Sequence, residues 1–489
     1  MPERVGIDPP RPEDLRDLLF ERGVEFPCGG DSLCGGCRIR VVEGDVPVTA
    51  EMRAALSAEE LADGWRLACR AGARGPVTVE IDQWSAHVLT DEAKLALEPS
   101  EGFGIAIDLG TTTLVAQLVD LAKGDIVAVE TALNPQGRHG ADVMSRVQFE
   151  LARPGVLRGL VRRSLGAMVA RLAAGRPLRE VLIAGNTVMH HLFCGQSVEP
   201  LAHVPFRPEA TAGRRFEARE LEWAAPVEMG VRFLPCVGGF VGSDLMAGLV
   251  AVGAAQAAAP LALLDLGTNG EIAVGCREGI LCASAAAGPA FEGGRIRNGM
   301  RAGAGAIDRV ERDGDGLRCH VIGRGPARGI CGSGLVDAAA AALELGWLDE
   351  RGRLMQGRTE IAVDGVALAQ SDIRELQLAK GAIRAGLDIL MRQSGCERPR
   401  VLLAGAFGNY IRAESARRIG LLPAGAGEVK AAGNTALRGT RMLLLSPSWR
   451  ETIMDGLLRL TRHVELAALA EFQEAFVERM ALACPPALV

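Results

Sequence analysis

Leu261–Gly275 reads LALLDLGTNGEIAVG, and earlier in the chain Ile105–Asp120 reads IAIDLGTTTLVAQLVD. Each opens with an apolar run of strand length, reaches an aspartate followed by glycine and small hydroxyl or amide residues, and enters a second apolar run. The first copy supplies Asp108, Gly110, Thr111, Thr112 and Thr113; the second supplies Asp265, Gly267, Thr268, Asn269 and Gly270. A turn and a third strand follow each, ending in Ile126–Leu133 and in Ile280–Ala286. Glycine lets backbone N–H groups close around an anion, hydroxyls add donors, and an aspartate at a strand end can hold magnesium through its waters. One such turn is equally well a tight hairpin. Two copies, 157 residues apart with matching flanks, predict two related lobes facing one nucleotide across a cleft.

Further strand–turn–helix stretches surround the two turns. Val181–Phe193 reads as a strand, then Gly185-Asn186-Thr187 opening a helix whose amides face an anion or another loop. His190 and His191 on that helix have no metal-ligand spacing and read as packing or partner surface. Asp244 starts a helix just before the second phosphate turn; an N-cap is the plain reading, and a catalytic role is preferred for its position. His139 and Asp142, in a loop before another helix, either meet the cleft or cap. Gly332, Ser333 and Gly334 open a helix with Asp337 one turn in, and Gly405, Ala406, Phe407 and Gly408 form a turn suited to an adenine slot. Val156–Ala173 and Asp372–Gln393 read as long helices, and the segment after His463 as an amphipathic helix packed on the second lobe.

Cys28, Cys34, Cys37 and Cys69 are spaced C-x5-C-x2-C-x31-C after a helix expected over residues 12–23. Three thiolates in a glycine-rich loop and a fourth from a distant segment can surround two irons. Structural zinc is the competing reading, but zinc sites usually pair two short knuckles and Cys69 has no near partner.

A chain of 489 residues with 48% hydrophobic and 23% charged residues exceeds one ordinary core, so two or three domains are expected. The net charge of −6 argues against nucleic acid as the main partner, and the acidic excess lies in residues 1–82, which suits docking to a basic surface. Met246–Leu264 is the one segment apolar enough to test as membrane-spanning; it reads as a helix and then the strand of the second phosphate turn, so no membrane partner is expected. The N-terminus lacks the pattern of an export signal. A cytoplasmic protein is expected, with its twelve cysteines as thiols or metal ligands.

The cysteine spacing resembles the [2Fe–2S] ferredoxins of plant and adrenodoxin type, which implies a β-grasp fold of class α+β and ligation by those four cysteines. Such domains open with a β-hairpin before the helix, and few residues precede Glu13. The remaining motifs resemble the actin, sugar-kinase and heat-shock-chaperone (ASKHA) superfamily, an α/β ATPase fold of two duplicated lobes. Asp108–Thr113 and Asp265–Gly270 match its phosphate motifs, Gly242–Asp244 and Gly433–Gly439 its connecting motifs, and Ala404–Gly408 its adenosine motif. With GPAFEG, GMRA and GICGSGLVD between Gly288 and Asp337, the chain closely resembles the reductive activators of corrinoid proteins, which return cob(II)alamin to cob(I)alamin.

The resemblance implies ATP, Mg2+ and a [2Fe–2S] cluster as cofactors, a corrinoid protein and an upstream low-potential reductase as partners, and a homodimer as one expected assembly. It assigns Asp108 and Asp265 to magnesium, Asp244 to the attacking water, and the two phosphate turns to the nucleotide. Expected boundaries are a ferredoxin module over 1–82, a linker over 83–100 containing an exposed His87, and lobes over 101–250 and 251–489. A middle domain found in such activators is expected to be missing, since only the linker separates module and lobes. Three other functions use parts of the pattern: a sugar or acyl kinase, an activator of 2-hydroxyacyl-CoA dehydratase type, and a redox-gated nucleotide-binding regulator.

Overall fold

The structure, a computed structural model, describes residues 3–12, 14–21, 38–81, 98–140, 142–267, 269–300, 302, 305–322, 326–408 and 410–482. The N-terminal module contains β1 (Glu3–Ile7), α1 (Asp14–Glu21), β2 (Arg38–Glu43), α2 (Ala50–Ala55), α3 (Ala58–Ala62), β3 (Trp65–Leu67) and β4 (Val77–Ile81). Its four strands lie in the order β1-β4-β2-β3, every neighbouring pair antiparallel. One described strand precedes α1 and takes the sheet edge, antiparallel to β4. Val5, Leu15, Leu19, Ile39, Leu67 and Val79 bury the helix against the sheet.

Lobe one follows with β5 (Phe103–Leu109), β6 (Thr113–Asp120), β7 (Ile126–Leu133), α4 (Val143–Ala152), α5 (Val156–Ala173), β8 (Leu178–Gly185), α6 (Thr187–Cys194), β9 (Arg214–Phe216) and β10 (Val231–Phe233). The helix α7 (Ser243–Ala251) then leads to lobe two: β11 (Leu261–Leu266), β12 (Gly270–Cys276), β13 (Gly279–Ala285), β14 (Ala306–Asp313), β15 (Gly316–Val321), β16 (Gly329–Ile330) and α8 (Gly332–Glu344). After it come β17 (Glu360–Val363), β18 (Val366–Ala369), α9 (Gln370–Ser394), β19 (Arg400–Ala404), α10 (Gly405–Gly408), α11 (Ala413–Arg418) and β20 (Val429–Gly433). The chain closes with α12 (Thr435–Leu444), α13 (Pro447–Leu460), β21 (Thr461–His463) and α14 (Ala470–Arg479).

The duplication read from the two phosphate turns extends through both six-stranded sheets. One has the order β7-β6-β5-β8-β10-β9, the other β13-β12-β11-β19-β20 with β21 beyond β13. In each, a three-strand antiparallel meander is followed by two parallel strands, β8 and β10 or β19 and β20. β5 and β11 are central strands with neighbours on both sides, which is why each reads as a continuous apolar run. Asp108 and Asp265 are the penultimate residues of these strands, so the two sheets present them at equivalent places.

The lobes join through α7 and α12, which follow β10 and β20 and pack on each other in a core shared with both sheets. Ala106 and Leu182 enter it from lobe one, Leu263 and Leu402 from lobe two, and Leu245, Leu249, Leu437 and Leu443 from the helices. Gly439 permits the crossing: a Cβ there would stand 1.8 Å from the Ala247 carbonyl oxygen.

The tail after His463 packs on lobe two as expected, while α13 ahead of it reaches lobe one. Arg450 of α13 makes a two-pronged ion pair with Glu180 of β8 (2.7 and 2.6 Å), both side chains buried, and its Nε donates to the Leu443 carbonyl. β21 joins the lobe-two sheet beside β13 as a strand, and α14 packs on α9. Residues 98–100, expected in the linker, are already fixed: the Glu98 N–H donates to Leu445 and its carboxylate accepts from Ser448, and the Ser100 N–H donates to Leu121. His87 lies outside the described residues. Met246–Leu264 divides between α7 and β11, and among the described residues no helix is long and apolar enough to cross a membrane.

Candidate functional site

The first phosphate turn closes on itself and is held from two sides. The Gly110 N–H donates to Thr113 O (3.1 Å), Asn134 Nδ2 donates to Gly110 O (2.9 Å), and the Asn134 N–H donates to Thr112 O (2.9 Å). The second turn repeats the closure, with the Gly267 N–H donating to Asn269 O (3.1 Å). Thr268 lies outside the described residues.

Two further asparagines position the first turn and its aspartate. Asn186 caps α6 by accepting from the Met189 N–H (3.0 Å), and its Nδ2 donates to Thr111 Oγ1 (2.9 Å). Asn434 caps α12 by accepting from the Leu437 N–H (2.8 Å), and its Nδ2 donates to Asp108 Oδ2 (2.9 Å). Each asparagine divides its two functions between a helix N-terminus and a site residue. The helix opened by Asn186 faces the first phosphate turn through that side chain, and Asn434, inside the Gly433–Gly439 connecting motif, has the same relation to Asp108. The sequence carries the parallel, since Ala-Gly-Asn-Thr occurs at both 184–187 and 432–435.

Asp244 sits in the first turn of α7, whose N-cap is Gly242, so the capping alternative does not hold. Its Oδ1 accepts from the Leu245 N–H at 2.8 Å. Glu271, which sequence reading missed, stands directly across the β11–β12 ladder from Asp265 and accepts from Ser284 Oγ at 3.4 Å. Burial, the largest influence on all four carboxyls, pushes Asp108 up to about 6 and Asp265 up to about 7; Asp108's charge adds to the rise at Asp265. Asp244 and Glu271 are raised too, with neighbouring carboxylates contributing after burial. Such a cluster favours a cation or a shared proton. Among the described residues no three His, Cys, Asp or Glu already form a metal cage.

The turn Gly405–Gly408, expected to meet adenosine, adjoins this cluster. Gly405 adopts φ +82°, and a Cβ there would lie 2.5 Å from Asp265 Oδ1. Phe407 turns its ring inward, stacked on Phe291 at 4.4 Å between centroids, so the backbone of Gly405–Gly408 is what this turn offers a ligand. Gly332, Ser333 and Gly334 form the first turn of α8, with Cys331 as N-cap. Asp337 is buried and contacts β14 and α11: its Oδ2 accepts from the Val310 N–H (3.3 Å), and Arg412 Nε stands 3.9 Å from its Oδ1. The lobes also touch across the cleft, where Thr112 Oγ1 donates to Glu292 Oε2 at 3.4 Å.

Other predicted polar residues are structural. Asp142 caps α4 through Ser145, and His139 stacks on Phe149 at 4.4 Å. His190 and His191 are fully buried, and burial drives both imidazoles below their usual range. In the module, Cys69 is buried in a single helical turn after β3. Cys28, Cys34 and Cys37 lie outside the described residues.

Comparison with known proteins accounts for the combination. Residues 2–74 match the 2Fe-2S iron-sulfur cluster binding domain, 103–257 the RACo middle region, and 260–486 the C-terminal domain of RACo, the ASKHA domain. The second match corrects the expectation of a missing middle domain: lobe one is that region. The corrinoid activation enzyme RamQ of Eubacterium limosum is 32% identical over 77% of this chain and 69% of its own length. The [Co(II) methylated amine-specific corrinoid protein] reductase of Methanosarcina barkeri is 29% identical over 77% of this chain and 76% of its own. A solved structure of a reductive activator for corrinoid, iron-sulfur protein matches with a TM-score of 0.70 and 26% identity, covering 96% of this chain and 95% of that one. The chain therefore belongs to the reductive activators of corrinoid proteins, with a [2Fe–2S] ferredoxin domain ahead of an actin-like ASKHA ATPase.

Proposed function

We propose that this protein restores the cob(I)alamin state of a corrinoid protein by passing one electron to cob(II)alamin, at the expense of MgATP. The observation that carries the reading is the union, in one chain, of a ferredoxin module and a cleft whose half-buried carboxyls Asp108, Asp244 and Asp265 are all raised by desolvation, the last two also by neighbouring carboxylates. That electrostatic state is one a divalent cation relieves, so the residues suit Mg2+ bound with a nucleotide.

Asp108 and Asp265 would hold magnesium through its waters, with Asn434 fixing the Asp108 carboxylate. The backbone and hydroxyls of Gly110, Thr111, Thr112 and Thr113, and of Gly267, Thr268, Asn269 and Gly270, would take the phosphates. The turns Gly332-Ser333-Gly334 and Gly405–Gly408 would flank the nucleoside, and Asp337 would act from behind α8. Asp244 would orient the attacking water and accept its proton, a role suited to a carboxyl raised by its surroundings. Cys28, Cys34, Cys37 and Cys69 would hold the cluster, which when bound supplies a one-electron carrier near roughly −400 mV.

Cob(II)alamin in a protein is harder to reduce than such a carrier, so the transfer runs uphill. Energy then enters through nucleotide turnover, or through tighter binding of one corrinoid oxidation state than the other. We assign the module to 1–82, the linker to 83–100 and the lobes to 101–250 and 251–489, with α12 and α13 returning to lobe one. A low-potential reductase upstream, a cytoplasmic location and a homodimeric assembly complete the proposal.

The test is anaerobic. Chemically reduced protein is mixed with a cob(II)alamin-loaded corrinoid protein, and the cob(I) absorbance band is followed with and without MgATP. ATP-dependent growth of that band is expected. Its absence, with the cluster intact by its spectrum, would move the reading to another low-potential acceptor.

A further inference from the structure

The ferredoxin module touches lobe two at a place that the electron-transfer reading does not use. Arg16 on α1 directs a guanidinium nitrogen toward Asp308 Oδ2 of β14 at 3.8 Å, and Asp308 Oδ1 meets the His320 ring at 2.6 Å. The Arg16 and Asp308 side chains are only 16% and 11% exposed, so this is not a solvated surface pair. Tyr410, also of lobe two, packs against the module's own hydrophobic core.

Both halves of this contact are built on turns assigned to the nucleotide. Ser333 Oγ, in the first turn of α8, donates to the Asp308 carbonyl at 2.8 Å. The Tyr410 N–H donates to Phe407 O at 3.0 Å, inside the turn that begins at Gly405 against Asp265. Arg412, two residues beyond Tyr410, pairs with Glu311 of β14 at 2.7 Å and so links the halves.

We propose that Asp308, His320 and Tyr410 form a docking seat for the chain's own ferredoxin module, and that nucleotide in the cleft releases the module from it. The seat stands on the contacts above; its control by nucleotide rests on the ATP-binding reading. A ligand that recruits the Ser333 hydroxyl takes it from the Asp308 carbonyl, and the same ligand moves the backbone that carries Tyr410. The acidic module is held through one of its arginines, by a carboxylate that bulk charge would repel. Release frees this face of α1 when the cleft is charged, which makes the cluster module available to an outside acceptor only in the nucleotide-bound form.

Hydrogen–deuterium exchange on the intact holoprotein under anaerobic conditions tests this, read on α1 (14–21) and on β14–β15 (306–321), with nucleotide binding measured on the same sample by equilibrium dialysis. MgATP should raise exchange on both segments together by at least about fivefold, the lower end of ordinary coupling between sites. Arg16→Glu should produce the raised exchange without nucleotide, and the charge exchange of Arg16→Asp with Asp308→Arg should restore protection. Nucleotide bound with both segments unchanged would overturn the control. Arg16→Glu without effect on β14 would overturn the seat. Absence of nucleotide binding, with Arg16→Glu still exposing β14, would defeat the ATP reading and its control while leaving the seat supported.

Discussion

Asp108→Asn separates the electrostatic account of the cleft from a merely structural one. Burial raises the Asp108 carboxyl from 3.8 to about 6. A difference of about two units is worth about 3 kcal/mol at 1.36 kcal/mol per unit. Asp108 keeps a fringe of solvent contact, so that figure is a ceiling and about 1–2 kcal/mol is the working expectation. The folded value lies above the unfolded one, so the folded protein holds this proton more tightly. The corresponding stabilisation is complete below about pH 4 and is lost as pH rises through about 6. Asparagine cannot ionise and keeps a carbonyl for the Asn434 amide. Ligand-free Asp108→Asn should therefore melt above the wild type at pH 7, and the gap should close toward pH 4. The assay is thermal unfolding with and without MgATP, comparing midpoints because a chain of several domains need not unfold in two states. MgATP should raise the wild-type midpoint and leave the variant's unchanged. A variant less stable than wild type at pH 7, a gap independent of pH, or a full MgATP shift in the variant would refute the reasoning.

Three further outcomes follow from particular contacts. Cys69→Ser should abolish the visible [2Fe–2S] absorbance while nucleotide binding by the lobes persists; a retained cluster spectrum would remove Cys69 from the ligand set. Arg450→Met removes the two-pronged partner of buried Glu180, leaving it Arg232 at 3.5 Å, and should cost up to about 3–5 kcal/mol in urea unfolding, most of it regained when Glu180→Gln is added. MgATP binding near pH 6.5 should release protons, because Asp265 and Asp108, at about 7 and about 6, must ionise to hold the cation. The slope of calorimetric binding enthalpy against buffer ionisation enthalpy measures that release, and a zero slope would contradict it.

The lobes were legible in the sequence because their strands lie at the centre of sheets, where burial on both faces forces unbroken apolar runs that end abruptly at polar turns. That is why β5, β8 and β11 fall close to their expected bounds. The amphipathic tail holds the helix α14, and β21 lies just ahead of it. Three residues are too few to show a period, and their strand character comes from pairing with β13. Nothing beside Glu271 in the sequence marks a partner, since it opens an otherwise apolar strand. Here the neighbouring strand and Ser284 enclose it.

By itself, the sequence determined what depends on local chemistry: the four spaced cysteines, the duplicated aspartate–glycine turns, the helix and strand identities around them, and hence the family. Tertiary structure alone decided which residues meet. Asn434 reaches Asp108 across 326 residues of chain, Arg450 reaches Glu180 across 270, and Ser333 holds the carbonyl of the residue that faces Arg16. No periodicity encodes such pairs, because they arise only when α7 and α12 close the two sheets on one core. The carboxyls of the cleft acquire their raised affinity for protons by the same closure, through burial and through one another.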